Sequence, residues 1–569
     1  MPNKHLTALL LAGLVTACQA QPQTKQVPVS VDPINAAPLP AHLKPTVEAA
    51  FHSINPMAIK ATMSFLADDL VEGRQPGTRG FAIASRYIQT RFIALGLQPA
   101  GDNGTYVQSL TFKKGVPIPS GCSLSLQTDG STETLINGTD FLIFPNQASS
   151  TSEVTAPLAF IGYGVYAPEL KYDDYGSLDI KGKIAVFFDG APTGFPSNER
   201  AFFSSAATKY AEAVKRGAVG VLQVMAPGGQ RSSFEAAARR VGQGNYKWAD
   251  PQGYAQGTFE QLKVIGALNA AQSQQLFAKS GKDETAIINE LKAGKPQPLA
   301  LRTTATMKSA TTVTDIQTSN LVGILPGSDP VLKNEYIIYT AHLDHFGIGA
   351  PVNGDSIYNG AHDDASGVAI LMEIAQTFRS LPKAPKRSII IAVVTGEEYG
   401  LLGSDYFANN PTVPRKQIVA DLSIDMPFFF HPVLDVVPYG AQHSSLSAPV
   451  ETAAKYMGLK IGPDPFPEQV IFIRSDHYSF IRKGIPALFI KSGFMTVASD
   501  TVDRSKSDVG WRSTTYHTPK DDMNQPFDFD AAATHVRFNF LIGLLVGENT
   551  TRPSWNKGDF FGGRFGNSQ

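Results

Sequence analysis

Seven of the eleven histidines in this 569-residue chain fall between His342 and His517, and acidic pairs cluster among them. Five short clusters follow one another there. In Ala341-His-Leu-Asp-His345, His342 and Asp344 stand two apart just after the run Glu335-Tyr-Ile-Ile-Tyr-Thr340. At the end of a strand both side chains leave the same face, and a carboxylate so placed can fix the tautomer of a metal-ligating imidazole. The second cluster, Asn359-Gly-Ala-His-Asp-Asp-Ala-Ser-Gly367, is a tight small-residue turn that feeds a helix. Asp364 or Ser366 suits a helix cap, but capping by one acid does not explain two adjacent ones. A carboxylate presented by so rigid a turn could bridge two cations. The third, Thr395-Gly-Glu-Glu-Tyr-Gly400, follows the apolar run Ser388–Thr395. Two glutamates at a buried strand's exit repel unless a cation or proton separates them, which suits one as metal ligand and the other as general base. Asp425 closes Leu422-Ser-Ile-Asp, and His517 sits in Tyr516-His-Thr-Pro-Lys-Asp521, a turn ahead of the last helix.

These residues need elements to converge them. After about residue 305 the sequence alternates strand, loop and helix: Glu335–Thr340, a helix from Gly367 to Arg379, then the buried strand Ser388–Thr395. That alternation predicts an α/β fold, a mixed and largely parallel sheet sandwiched between helices. Ligands of such sheets bind outside the strands' carboxyl ends, where four of the five clusters fall. Upstream, apolar residues recur at helical spacing from Pro56 to Gly96, broken by the turn-rich Gly73-Arg-Gln-Pro-Gly-Thr-Arg-Gly80, so two amphipathic helices are expected. Between about 120 and 300 come short β-rich runs such as Leu158-Ala-Phe-Ile-Gly-Tyr and Ile184-Ala-Val-Phe-Phe, with a helix around Ala206–Arg216. This stretch reads as a separate, smaller α/β module without catalytic clusters.

The five clusters, in their order, closely resemble the co-catalytic di-zinc aminopeptidases of the bacterial leucyl aminopeptidase and aminopeptidase Y type, over about residues 55–545. The stretch Leu66-Ala-Asp-Asp-Leu-Val-Glu-Gly-Arg-Gln-Pro-Gly-Thr looks like the start of that family's domain. Gly162-Tyr-Gly-Val and Asp179-Ile-Lys-Gly-Lys-Ile-Ala-Val look like its inserted protease-associated (PA) domain. The resemblance implies a zinc-peptidase fold and two Zn²⁺ per chain. It assigns His342 and Asp425 to one zinc, Glu398 and His517 to the other, and Asp363 to the bridge. Asp344 would orient His342, and Glu397 would be the general base. Simple family members carry a Tyr three residues before their Ser-Asp-His motif; here Phe472 stands there, so Arg474 becomes the candidate for the oxyanion, or for a substrate carboxylate. The remaining histidines are expected in lesser roles: His345 and His362 along the pocket, His477 behind it, and His431, His443 and His535 in packing or at the surface. The implied organisation is a signal peptide (1–17), a tether (18–45), the first part of the peptidase domain (46–120), the PA insertion (121–303), the catalytic part (304–550) and a C-terminal tail (551–569).

Composition narrows the functions further. Hydrophobic residues make up 43% and charged residues 17%, which excludes a long disordered chain. Lys and Arg number 49 against 50 Asp and Glu, so no basic surplus exists to neutralise phosphates and nucleic acid is not an expected partner. Two cysteines, Cys18 and Cys122, build neither a disulfide framework nor a thiolate metal site. Lys4 followed by the apolar run Leu6–Val15 reads as an export signal. Val15-Thr-Ala-Cys18 resembles a lipoprotein cleavage box, which would lipidate Cys18, attach the protein to a membrane and, with Gln19 next, sort it to the outer membrane facing periplasm or cell surface. No other apolar run is long and uninterrupted enough to cross a bilayer. The expected activity is removal of N-terminal residues from peptide substrates. A carboxypeptidase or a glutaminyl-cyclase-like enzyme on the same scaffold is the alternative, followed by a non-catalytic peptide-binding lipoprotein.

Overall fold

A computed structural model describes residues 37–224, 233–496 and 502–566. The signal segment and Cys18 lie outside the described residues. The body begins earlier than the expected end of the tether. Leu39 and Leu43, four apart, are both buried, and a helix runs over Lys44–Ser53.

The two amphipathic helices are α1 (Pro56–Leu66) and α2 (Arg79–Ala94). Asn55 caps the first, its side chain accepting from Met57 N–H, and Thr78 caps the second, accepting from Phe81 N–H. α2 buries Phe81, Ala84, Ile88 and Phe92, the stripe that a 3.6-residue period places on one face.

The sheet that carries the clusters contains, in chain order, β1 (Val107–Pro117), β2 (Pro298–Leu325), β3 (Tyr336–His342), β4 (Ser388–Val394), β5 (Ile418–Ser423), β6 (Asp435–Tyr439) and β7 (Ala487–Ser492). Its spatial order is β1-β2-β4-β3-β5-β7-β6. The central four, β4-β3-β5-β7, are parallel, while β1, β2 and β6 pair antiparallel with their neighbours. Every residue of β4 and β5 is buried, as expected for parallel strands covered on both faces. One covering helix is α3 (Ser366–Arg379), which connects β3 to β4, and another is α4 (Phe529–Glu548). The chain leaves β3 toward β4 and returns to β5 on β3's other side, so the strand order reverses at the carboxyl end of β3. By length and composition α4 is apolar enough to cross a membrane, but 72% of its apolar window is buried inside the body.

Residues 123–308 form most of a second sheet. Parallel strands Ile184–Phe188, Gly220–Val224 and Val264–Leu268 are joined to it through Thr151–Ile161. No linker separates the two sheets on the C-terminal side. The 28-residue β2 pairs with Thr151–Ile161 and Ser123–Thr128 through its first half and with β1 and β4 through its second. The strand Asn245–Trp248 crosses back to pair with β1.

Candidate metal centre

The sequence clusters meet at the carboxyl ends of β3, β4 and β5. His342 is the last residue of β3 and pairs in register with Val394, the last of β4, so the loop carrying Glu397 and Glu398 emerges beside it. Asp425 follows β5 by two residues. Asp363 comes from the turn before α3, joined to Asp364 by a cis peptide bond, and His517 from the loop before α4.

Asp363 lies between two histidines. Its Oδ1 is 3.2 Å from His342 Nε2 and its Oδ2 is 3.1 Å from His517 Nε2. His342, Asp363 and Asp425 form one group of buried donor atoms lying within 4.8 Å of one another; His345, Asp363 and Glu398 form a second. His517 Nε2 also reaches Glu398 Oε2 at 3.1 Å. All the ligand positions thus converge on one centre that shares Asp363. The buried imidazoles face carboxylates directly, His342 Nε2 on Asp363 and His345 Nδ1 on Glu398, and His345 Nε2 has no hydrogen-bond partner among the described residues. Imidazole nitrogens and carboxylate oxygens gathered within ligand distance, with no thiolate, fit a borderline cation such as zinc.

The orienting contact of His342 differs in detail from the expectation. Its Nδ1–H donates to the main-chain carbonyl of Asp344 at 3.1 Å, while the Asp344 carboxylate stands at 3.8 Å. That carboxylate instead accepts from the N–H groups of Gly396 (2.6 Å), Glu397 (3.2 Å) and Glu398 (3.4 Å). Asp344 therefore fixes the His342 tautomer through its backbone and holds the Glu397–Glu398 turn through its side chain. The two adjacent acids of the second cluster also divide their work. Asp364 Oδ1 accepts from Gly367 N–H (2.9 Å), capping α3, and from Met426 N–H (3.1 Å), tying that turn to the Asp425 loop.

Electrostatics follow the same division. Burial pushes Glu397 well above the ordinary carboxylate range, and the nearby Asp425, Glu398 and Asp476 push the same way. Burial acts likewise on Asp363, but hydrogen bonds from His342 and His517 outweigh it and hold Asp363 well below the usual range. For His517 burial opposes protonation, yet Glu398 and Asp363 raise it to about 9. Asp344, fully enclosed, is pushed up to about 6.

Several contributors carried little sequence signal. His345, expected only to line the pocket, has its Nδ1 2.5 Å from Glu398 Oε1. Arg74, fully buried, donates from Nε to Leu343 O (2.7 Å), from Nη1 to Leu66 O and Asn359 O, and from Nη2 to Gly360 O (2.9 Å). Asp521 accepts from the N–H groups of His362 (2.8 Å) and Asp363 (3.0 Å), and burial pushes it up to about 8. Tyr516, next to His517, lines the cleft with its hydroxyl 3.2 Å from Arg474 Nη2. Arg474 therefore reaches the cleft rather than pairing with Asp476, which is wholly buried. Phe472 is buried too, packed on Phe561 and His443. His362 sits among Phe428, Phe430, Trp511 and Phe527, and burial holds it well below the normal histidine value. His477, stacked on Phe489, and His535, bonded to Ser492 Oγ, are packing residues whose burial pushes each down to about 3.

Known proteins resemble this chain in part of its sequence and in its fold. The mouse Aminopeptidase NAALADL1 is 34% identical over 121 residues, 20% of this chain and 14% of that protein. A Probable zinc metalloprotease of Pyrenophora teres f. teres is 40% identical over 90 residues, 16% of this chain and 18% of that one. This chain thus matches less than a fifth of the length of either relative. Among solved structures, the aminopeptidase from Aneurinibacillus sp. strain AM-1 superposes with a TM-score of 0.51 at 21% identity, covering 87% of this chain and 95% of that one, so the fold is shared. The model of peptidase family M28 matches residues 320–540, the span that holds β3 to β7, α3, the first part of α4 and every candidate ligand. Residues 320–540 are therefore a peptidase family M28 domain.

Proposed function

We propose that the chain is an exported di-zinc aminopeptidase. The observation that carries the reading is the Asp363 carboxylate, with one oxygen on His342 and the other on His517, which makes a single acid common to two donor groups. His342 and Asp425 would hold one ion, Glu398 and His517 with His345 alongside the other, and Asp363 both. Two divalent cations held by these residues would supply Lewis acidity toward the attacking water and the scissile carbonyl. The chain's own residues do the rest. Glu397, part-buried at the cleft wall with its Oε2 3.9 Å from His342 Nε2, takes the water's proton and passes it to the leaving amine. The raised proton affinity of Glu397 suits a group that must hold that proton between the two steps. The Tyr516 hydroxyl, steered by Arg474, is placed to donate to the oxygen of the carbonyl under attack. Export rests on the Leu6–Val15 run, and membrane attachment on a lipidated Cys18.

Metal analysis together with hydrolysis of amino-acid p-nitroanilides tests this. Two zinc ions per chain, activity lost on chelation and regained with zinc, and no cleavage of N-blocked peptides are the expected results. Full activity with one tightly bound metal would overturn the di-metal centre. Cleavage of N-blocked peptides from their C-terminus would replace the aminopeptidase by a carboxypeptidase.

A further inference from the structure

Three cationic side chains share the cleft with the candidate ligand carboxylates. Arg474, Lys491 and Arg512 line the same cleft as Asp363, Glu397 and Asp425. Lys491, near the carboxyl end of β7, is only 8% exposed. Its Nζ donates to the main-chain carbonyls of Met426 (2.9 Å) and Asp425 (3.3 Å) and lies 4.9 Å from the Phe489 ring centroid. An ammonium has three N–H donors, so one remains. Among the described residues no carboxylate comes within 4.0 Å of it. Arg512 spends its Nε on Asp508 at 2.9 Å, which leaves the two Nη groups of its guanidinium, and Arg474 gives one bond to the uncharged Tyr516 hydroxyl. Burial makes the Lys491 ammonium costly, Asp425, Asp508 and Asp363 offset part of that cost at longer range, and an anion bonded to its remaining donor would offset more. Beyond Lys491 and Arg512 a narrow recess continues, walled by Phe428, Tyr439, Phe466 and Phe494 and by Asp508, the carboxylate that pairs with Arg512.

We propose that Lys491, Arg512 and Arg474 form a carboxylate-binding subsite, so that the preferred peptides carry an acidic group on a residue flanking the scissile bond. The proposal rests on the peptidase reading and names its substrate class. Two sources supply that chemistry: the side chain of an N-terminal Asp or Glu, or the free terminal carboxylate of a dipeptide. Zinc-loaded full-length protein separates them, with glutamyl against leucyl p-nitroanilide for the first source and Leu-Leu against Leu-Leu-amide for the second. In one pair the acidic member should have kcat/KM at least about tenfold higher, and Lys491→Met and Arg474→Gln should each shrink that ratio while Lys491→Arg keeps it. Arg474 is surface-accessible, so its variant reports even where Lys491→Met misfolds. Hydrolysis of leucyl p-nitroanilide with no preference in either pair, or a preference untouched by both variants, overturns the subsite and leaves the peptidase intact. If no peptide or anilide is cleaved, the peptidase reading fails, and calorimetric binding decides the subsite alone. L-glutamate binding above L-leucine that Lys491→Met abolishes supports it, and equal binding overturns it.

Discussion

Glu397 and Glu398 are neighbours with opposite electrostatics: burial and like charges raise the first, whereas His517 and His345 hold the second below its usual range against burial. That contrast predicts how two matched substitutions will differ. Glu397→Gln keeps the shape and removes the basicity, so both metals should stay bound while kcat falls by about 10²–10⁴, the usual size of a general-base effect. Glu398→Gln should also lose metal, seen as a drop in zinc content after dialysis. Near-normal kcat in Glu397→Gln would place the base elsewhere. The candidate ligands stood out in the sequence because each follows a strand or precedes a helix, and because adjacent acids such as Glu397 and Glu398 need a reason to coexist. The supporting residues were not. Arg74 bonds to carbonyls 269 and 285 positions away, and Lys491 reads as one polar residue near the end of an apolar strand. Their partners are set by the fold, and no local pattern announces them. The Asp363–Asp364 pair was half legible: two acids required two tasks, but which one caps α3 depends on the turn's geometry.

At the scale of elements, the centre depends on loops from distant parts of the chain being held in one place. Arg74 does this for three of them, joining the end of α1, the segment after β3 and the turn before α3. The loop that carries it leaves no room for a side chain at the preceding position. A Cβ on Gly73 would lie 2.5 Å from Tyr358 O and 2.7 Å from Gly347 O, and the residue has φ +65°. Replacing Arg74 by Met keeps the volume but strands the carbonyls of Leu66, Leu343 and Asn359, each worth about 1–3 kcal/mol when unsatisfied, while Gly360 O keeps its bond from Ala365 N–H. Arg74→Met should therefore lower stability by about 3 kcal/mol or more in urea unfolding and weaken zinc binding together with it. Unchanged zinc affinity at reduced stability would show that the loops hold the ligands without the guanidinium. The element pattern itself was readable, since β4, α3 and α2 fall within a residue or two of where periodicity puts them, while α1 stops at Leu66 and leaves Leu70, counted in its stripe, exposed. The boundary placed between residues 303 and 304 has no counterpart in a break of the chain. β2 alternates buried and exposed residues straight through it, and a strand shared by two sheets gives a sequence no turn to mark the change.

For the whole molecule, the C-terminal segment decides how the second sheet's module meets the cleft. Trp555 donates to Gly484 O at 2.7 Å, and Asp559 holds His443 Nδ1 at 2.6 Å while Asn198 contacts the other ring nitrogen at 2.8 Å. Asn198 lies on the helix Ser197–Ser204, whose Phe202 packs edge-on against Phe560, Phe561 and Phe565, with the Arg564 guanidinium over its face. His443, expected in packing or at the surface, is thus the joint of three chain segments. The same helix bonds through Ser197 Oγ to Asp464, at the start of the segment that carries Ile471 and Arg474 into the cleft. The tail therefore clamps the helix that backs one cleft wall, while the ligand-bearing strand ends lie on other elements. Phe561 is fully buried at this junction, and Phe561→Ala should lower stability by about 3–5 kcal/mol, the usual range for emptying a buried phenylalanine site. Its kinetic signature should be specific. With the metal ligands undisturbed, zinc content should stay at the wild-type value and kcat should change little. KM should rise several-fold, because Ile471 at the cleft wall loses its backing. A fall in kcat with KM unchanged, or loss of zinc, would mean that the tail supports the metal centre itself instead of the wall that receives substrate.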